Sequence, residues 1–199
     1  EKERCCSIRT RNSRLAALHA FFRYLQCEEP ARLLHCQRIL AIPTKKAAKP
    51  MVGYLTADDL QAVLTQPDLK SQQGRRDAVL LSVLYDSGAR VQELIDLKLS
   101  DVRLEPPAYL KLTGKGRKTR PVPLMENTVE LLRQYVRENR LDRQEQSDEP
   151  LFRNAWGGRL SQSGVRYVIT KYARRAQADR VSLPRKISPH WLRHTKGMH

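Results

Sequence analysis

The run from Arg75 to Tyr85 constrains the fold more than any other stretch. Val79, Leu80, Leu81, Val83 and Leu84 leave little polar face for water, and a helix that is apolar nearly all round has to be buried. It stops at Asp86-Ser87-Gly88, where Gly88 suits the left-handed residue that ends a helix. Arg90 follows at once and opens a short helix with Val91, Leu94, Ile95 and Leu97 facing inward, and Glu93 lies one turn from Arg90. An arginine held at a tight turn between two buried helices is positioned, not waving in solvent. Further layers must enclose this pair of helices.

Downstream sequence supplies them. Thr56-Ala57-Asp58-Asp59 reads as a capped start of a helix through Leu64. Asp101–Leu104, Tyr109–Leu112 and Arg120–Leu124 alternate as strands, and Thr113-Gly114-Lys115-Gly116-Arg117-Lys118-Thr119 joins the last two as a basic β-hairpin. The hairpin lacks Walker spacing and a following helix start, which excludes a nucleotide-phosphate loop. Glu126–Asn139 carries the stripe Val129, Leu132 and Val136. A helix starting near Ser161 turns Val165, Val168, Ile169 and Tyr172 inward and keeps Arg166, Lys171, Arg174 and Arg175 outside. Ser188-Pro189 then forms an N-cap and first position of a last helix. That start places His190 and Arg193 on one face, an imidazole beside a fixed fork of donors. Trp191 and Leu192 anchor the other faces. The predicted class is mainly α with a small antiparallel sheet (α+β).

Ahead of this body, residues 8–27 read as an amphipathic helix with Ile8, Leu15, Leu18, Phe21, Phe22 and Leu25 inside, and Pro30 opens a second helix with Leu33, Leu34 and Ile39. Two helices are too few to close a core. Ile42-Pro-Thr-Lys-Lys-Ala-Ala-Lys-Pro50 describes an extended linker. The expected division is therefore 1–50 and 51–199.

Thirty-seven Lys and Arg against 21 acids give a formal charge of +16 over 199 residues, and both parts share the excess. Such a chain suits a polyanion, above all nucleic acid. No apolar run approaches the roughly 20 residues of a membrane span, and the start lacks the apolar segment of a secretory signal. Cys5, Cys6, Cys27 and Cys36, with His19 and His35, lack the paired spacing of a zinc site. Free thiols in a reducing cytoplasm, with no metal, are the expectation.

Three segments in order, Ser87-Gly-Ala-Arg-Val-Gln-Glu-Leu94, Gly114-Lys-Gly-Arg-Lys-Thr-Arg-Pro-Val-Pro-Leu124 and Ser188-Pro-His-Trp-Leu-Arg-His-Thr195, resemble the tyrosine recombinases, also called the phage integrase family. The nearest resemblance is to Xer-like and transposon-borne members. Arg11–Ala17 and Phe21–Leu25 are similar to the last helices of that family's core-binding domain. The resemblance implies a partial helical core-binding domain over 1–50 and a catalytic domain over 51–199. It implies site-specific breaking and rejoining of DNA through a 3′-phosphotyrosyl intermediate, with no cofactor. By the same resemblance Arg90 and Arg193 grip the non-bridging oxygens, Lys115 protonates the leaving 5′-oxygen, His190 transfers a proton near the attacking phenol, Glu93 supports the site and His194 is structural. Arg11, Arg14, Arg117, Lys118 and Arg120 are expected to contact DNA, with both parts gripping one duplex.

The chain departs from the family at Ala89, where a larger apolar residue is usual. The family's nucleophilic tyrosine lies beyond the position of His199. The seven tyrosines here all precede the last motif, in segments suited to packing or strands, so none is carried over as nucleophile. The N-terminal side also reads as truncated. The implied partner is duplex DNA, with a tetramer for a full-length enzyme and a monomer for this stretch, which should bind DNA and leave it uncut. Two other readings share the features: an inert DNA-binding remnant, and a type IB topoisomerase, which the small N-terminal unit and short linker disfavour.

Overall fold

A computed structural model of the chain describes residues 6–48, 53–139, 141, 148–179, 183–184 and 186–199, without the side chains of Lys115 and Asp179. The chain divides into two compact units, Glu1–Met51 and Val52–His199.

The first unit holds α1 (Ile8–Glu28), a 3₁₀ turn at Pro30–Arg32 and α2 (Leu33–Leu40). Ser7 caps α1, its hydroxyl accepting from the Thr10 N–H at 3.1 Å. The expected apolar face of α1 is largely uncovered. Leu15 is buried, whereas Ile8, Leu18 and Phe21 are exposed, because the eight residues of α2 cannot cover a stripe along a 21-residue helix. The start of the expected linker is held down within this unit. The Arg11 guanidinium donates to the Pro43 carbonyl (2.8 Å), and the Asn12 amide pairs with the Lys45 carbonyl (2.7 Å) and N–H (3.1 Å).

In the second unit, α3 (Ala57–Leu64), α4 (Gln72–Ser87) and α5 (Val91–Ile95) lead to a three-stranded antiparallel sheet in the order β1 (Val102–Arg103), β2 (Tyr109–Thr113), β3 (Thr119–Pro123). Then come α6 (Glu126–Glu138), α7 (Gln162–Asp179) and α8 (Pro189–Met198). The α4 helix is the centre: Leu80, Leu81, Val83 and Leu84 are fully buried, and α3, α6 and α8 pack on it. Burying each such leucine contributes roughly 1.5–3 kcal/mol. It begins three residues before the predicted start because Ser71 caps it, accepting from the Gly74 N–H at 3.0 Å. Among the described residues no helix is long and apolar enough to cross a membrane.

The last helix is held through Leu192, Thr195, Trp191 and Lys196. Leu192 is buried, the Thr195 hydroxyl accepts from the Leu55 N–H at 3.0 Å, and the Trp191 ring lies so close to Gly53 that a Cβ there would meet Cη2 at 2.2 Å. Lys196 reaches the buried Asp86 carboxylate at 3.1 Å, which also accepts from the Met125 N–H at the head of α6 (2.6 Å). Ser188 departs from the expected cap. It occupies the N-cap position with extended dihedrals, but its side chain makes no capping bond. Pro189 removes the N–H of the first position, the Ser188 carbonyl takes the Trp191 N–H at 2.9 Å, and the residue lines a cavity instead.

Candidate nucleic-acid phosphate site

Gly88 ends α4 in the left-handed conformation (φ 55°, ψ 29°), a region a Cβ disfavours. This turn delivers Arg90 to the N-cap of α5. Glu93, at the third position of α5, bends its carboxylate back to accept from the Arg90 N–H at 2.8 Å, half of a capping box. The Arg90 guanidinium returns to the same carboxylate, Nη1 to Oε1, at 2.8 Å. The surface pair readable at i, i+3 is therefore anchored on an acid that is 4% exposed.

Two further arginines meet that acid from distant elements. Arg120 on β3 sets its fork on it, with Nη1 3.1 Å from Oε1 and Nη2 2.8 Å from Oε2. Arg193 on α8 donates Nη1 to the Gly88 carbonyl at 2.7 Å, and the same nitrogen stands 3.9 Å from Glu93 Oε2. Burial pushes the Glu93 carboxyl up, but the hydrogen bonds from Arg120, then those from the Arg90 backbone and side chain, outweigh it and hold the group at about 2. One buried negative charge thus orders three guanidinium groups and leaves them collectively positive.

His190 lies one turn before Arg193 on the same helix and is exposed. Arg90, His190 and Arg193 line one cavity of about 230 Å³, with Ala89, Ser188 and Arg166 of α7 also on its wall. Arg166 was legible only as part of a basic helix face; no local spacing pairs α7 with the last helix. The small Ala89 side chain is buried in the cavity wall. A pocket with three arginines and an imidazole, beside which the carboxylate of Glu93 is already matched, suits an anion with several oxygens.

Lys115 opens a 3₁₀ turn at the hairpin tip, Lys115–Arg117, and its side chain lies outside the described structure. Gly116 and Arg117 both take positive φ (76° and 57°), and Arg117 and Lys118 are exposed. In the first unit, Arg11 is engaged with Pro43 and Arg14 points Nη1 at the Cys6 thiol (3.4 Å). Arg120, expected to face DNA, commits two nitrogens to Glu93. Among the described residues no group of three or more His, Cys, Asp or Glu is placed to hold a metal ion, and Cys6, Cys27 and Cys36 are free thiols.

Sequence reading missed two buried acids. Asp77 is fully buried on α4, held by Arg76 (2.6 Å) and by the Tyr172 hydroxyl (2.9 Å); Asp86 is the acid that ties α8 to α6. The tyrosines are dispersed. Tyr172 and Tyr135 are buried, and burial pushes both phenols up, while Tyr85 bonds the His199 ring at 2.9 Å. Tyr24, Tyr54 and Tyr167 are exposed, not packed as their segments suggested. None of the seven lines the Arg90–His190–Arg193 cavity.

The chain is similar to known proteins. Residues 53–199 match the family model described as the phage integrase family. An integrase/recombinase (y4rC) of Sinorhizobium fredii strain NGR234 is 38% identical across all of this chain and 59% of its own length. Tyrosine recombinase XerC of Pelotomaculum thermopropionicum is 36% identical over 94% of this chain and 60% of its own. This chain thus spans about three fifths of the length of these curated relatives. The solved structure of the Tn1549 transposon integrase in complex with a circular intermediate DNA superposes with a TM-score of 0.72 over 98% of this chain and 67% of that one, at 18% identity, a likeness of fold. With most of its length matched by the family model and relatives above 30% identity, the chain belongs to the phage integrase family, the tyrosine recombinases.

Proposed function

We propose that residues 51–199 form the phosphodiester-binding part of a DNA strand-exchange site and that residues 1–50 are part of a helical domain that grips the same duplex. One observation carries this reading: Arg90 and Arg193, 103 positions apart in the chain, meet at a single buried carboxylate and line one cavity with His190. The two guanidinium groups hold the non-bridging oxygens of the scissile phosphate and offset the charge that develops at phosphorus. A tyrosine oxygen forms the new bond to phosphorus, the bond to the 5′-oxygen breaks, and the 3′-phosphotyrosyl link conserves the bond energy. His190 takes the phenolic proton and Lys115, on its glycine-flanked turn, gives one to the leaving oxygen. Attack by a 5′-hydroxyl on the partner strand reverses the step. Full-length protein acts as a tetramer on two duplexes.

No tyrosine among the described residues lines the cavity, so this stretch alone binds duplex DNA without cutting it. The test is a nicked suicide duplex offered to this chain and to a chain extended along its reading frame. Binding by both, a covalent adduct with the extended chain only, and loss of the adduct in its Arg193→Ala form support the proposal. Affinity should fall steeply with salt, since each neutralised phosphate releases counterions. Binding indifferent to salt, or an adduct formed by this stretch alone, overturns it. An extended chain that binds and never cuts would identify an inert DNA-binding relative.

A further inference from the structure

Arg120 is an expected DNA contact whose guanidinium is committed to a buried carboxylate of the protein itself. Its two terminal nitrogens take one oxygen each of the Glu93 carboxylate, at 3.1 and 2.8 Å. That fork-on-fork geometry is the strongest pairing available to a carboxylate. Arg120 stands opposite Leu112 in the β2–β3 ladder, only two residues from Gly114 along the partner strand. The Gly114 backbone lies against the same carboxylate: a Cβ there would stand 3.0 Å from Glu93 Oε1, 3.6 Å from Arg120 Nη1 and 3.8 Å from Arg90 Nη1. The turn that begins with Lys115 is closed by the Gly114 N–H to the Lys118 carbonyl at 2.9 Å. Arg120 and Glu93 therefore tie the hairpin base to the Arg90 turn through side chains.

We propose that Arg120 is a positioning residue: its fork on Glu93 fixes the orientation of Arg90 and pins the base of the Lys115 turn beside the cavity, and the bare backbone of Gly114 makes that approach possible. The significance for strand exchange rests on the phosphodiester reading above; the positioning itself does not. A lysine cannot bridge two carboxylate oxygens with a planar fork, so charge alone does not replace Arg120. The salt dependence contributed by a DNA phosphate contact, by contrast, follows the positive charge, which lysine keeps.

The test compares the chain with its Arg120→Gln and Arg120→Lys forms by three measurements: carboxyl-carbon NMR titration of Glu93, amide hydrogen exchange at Gly114 with Leu110 and Leu112 as strand controls, and the salt slope of binding to a short duplex. For a positioning residue, both variants raise the Glu93 acid constant's midpoint by a unit or more, which is at least a tenfold loss of preference for the carboxylate. Exchange at Gly114 quickens tenfold or more while Leu112 stays protected, and the salt slope is unchanged. Full recovery of the titration and Gly114 protection in Arg120→Lys overturns the proposal. A salt slope reduced by about one in Arg120→Gln, with titration and exchange unaltered, makes Arg120 a phosphate contact and also overturns it. If Arg120→Gln loses protection at Leu112 as well, Arg120→Lys alone decides by the same criteria. If no form binds duplex, the phosphodiester reading fails while titration and exchange still decide the role of Arg120.

Discussion

Replacing Glu93 with Gln should cost about 2–3 kcal/mol of stability in the second unit at pH 7, and the cost should shrink in acid. The carboxyl is held at about 2 against an ordinary 4.5. At ~1.36 kcal/mol per unit of displacement this corresponds to about 3 kcal/mol favouring the folded carboxylate. Solvent screening trims the figure, because the Arg90 side chain is 60% exposed and that of Arg120 39%. A group whose folded value is depressed contributes fully above its unfolded value and loses that contribution as pH falls toward the folded one. The window is therefore pH 4.5 down to about 2, and roughly three fifths of the effect is gone by pH 3. Urea denaturation followed by tryptophan fluorescence reports it, since Trp191 packs within this unit against Gly53. The difference between the two forms cancels contributions from Asp77 and Asp86. An equal difference at pH 3 and pH 7 would refute a role for the carboxylate charge and leave shape or hydrogen bonding as the source.

Other perturbations separate packing from charge. Gly53→Ala drives a Cβ to 2.2 Å from the Trp191 ring; it should cost about 1–3 kcal/mol in urea denaturation and shift the Trp191 emission as the ring is displaced. Lys196→Met leaves the buried Asp86 carboxylate with the Met125 N–H and without its cation. Because the lysine is about one third exposed, the expected loss is nearer 2 kcal/mol than the 3–5 of a fully buried pair; calorimetric unfolding measures it, and an unchanged melting temperature would show that Asp86 has found another partner.

Local features were legible because local physics decides them. The apolar run through Leu84 can only be a buried helix, Gly88 marks its end, and a glycine-bracketed basic turn between alternating segments makes a hairpin whatever surrounds it. His190 and Arg193 share a face by the pitch of a helix alone. The resemblance to a known family rested on these same short segments and assigned roles to Arg90, Lys115, His190 and Arg193 before any distance was known. Boundaries were less legible: Ser71 extends α4 backward, and Pro189 leaves Ser188 in the capping position without a capping bond.

What only the tertiary structure decided is which charge meets which. With 37 cations and 21 acids, spacing along the chain cannot choose the partners of one glutamate beyond its own helical turn. Arg90 was readable at i, i+3; Arg120 is 27 positions away and Arg193 another 73 beyond, and packing of a strand and the last helix onto α4 and α5 brings them in. The same holds for Arg166 on the cavity wall, for Trp191 on Gly53 and for the burial of Asp77 and Asp86. Capping and periodicity act over one or two turns and are written in sequence order, whereas the sharing of a desolvated carboxylate depends on how surfaces far apart in the chain close on one another.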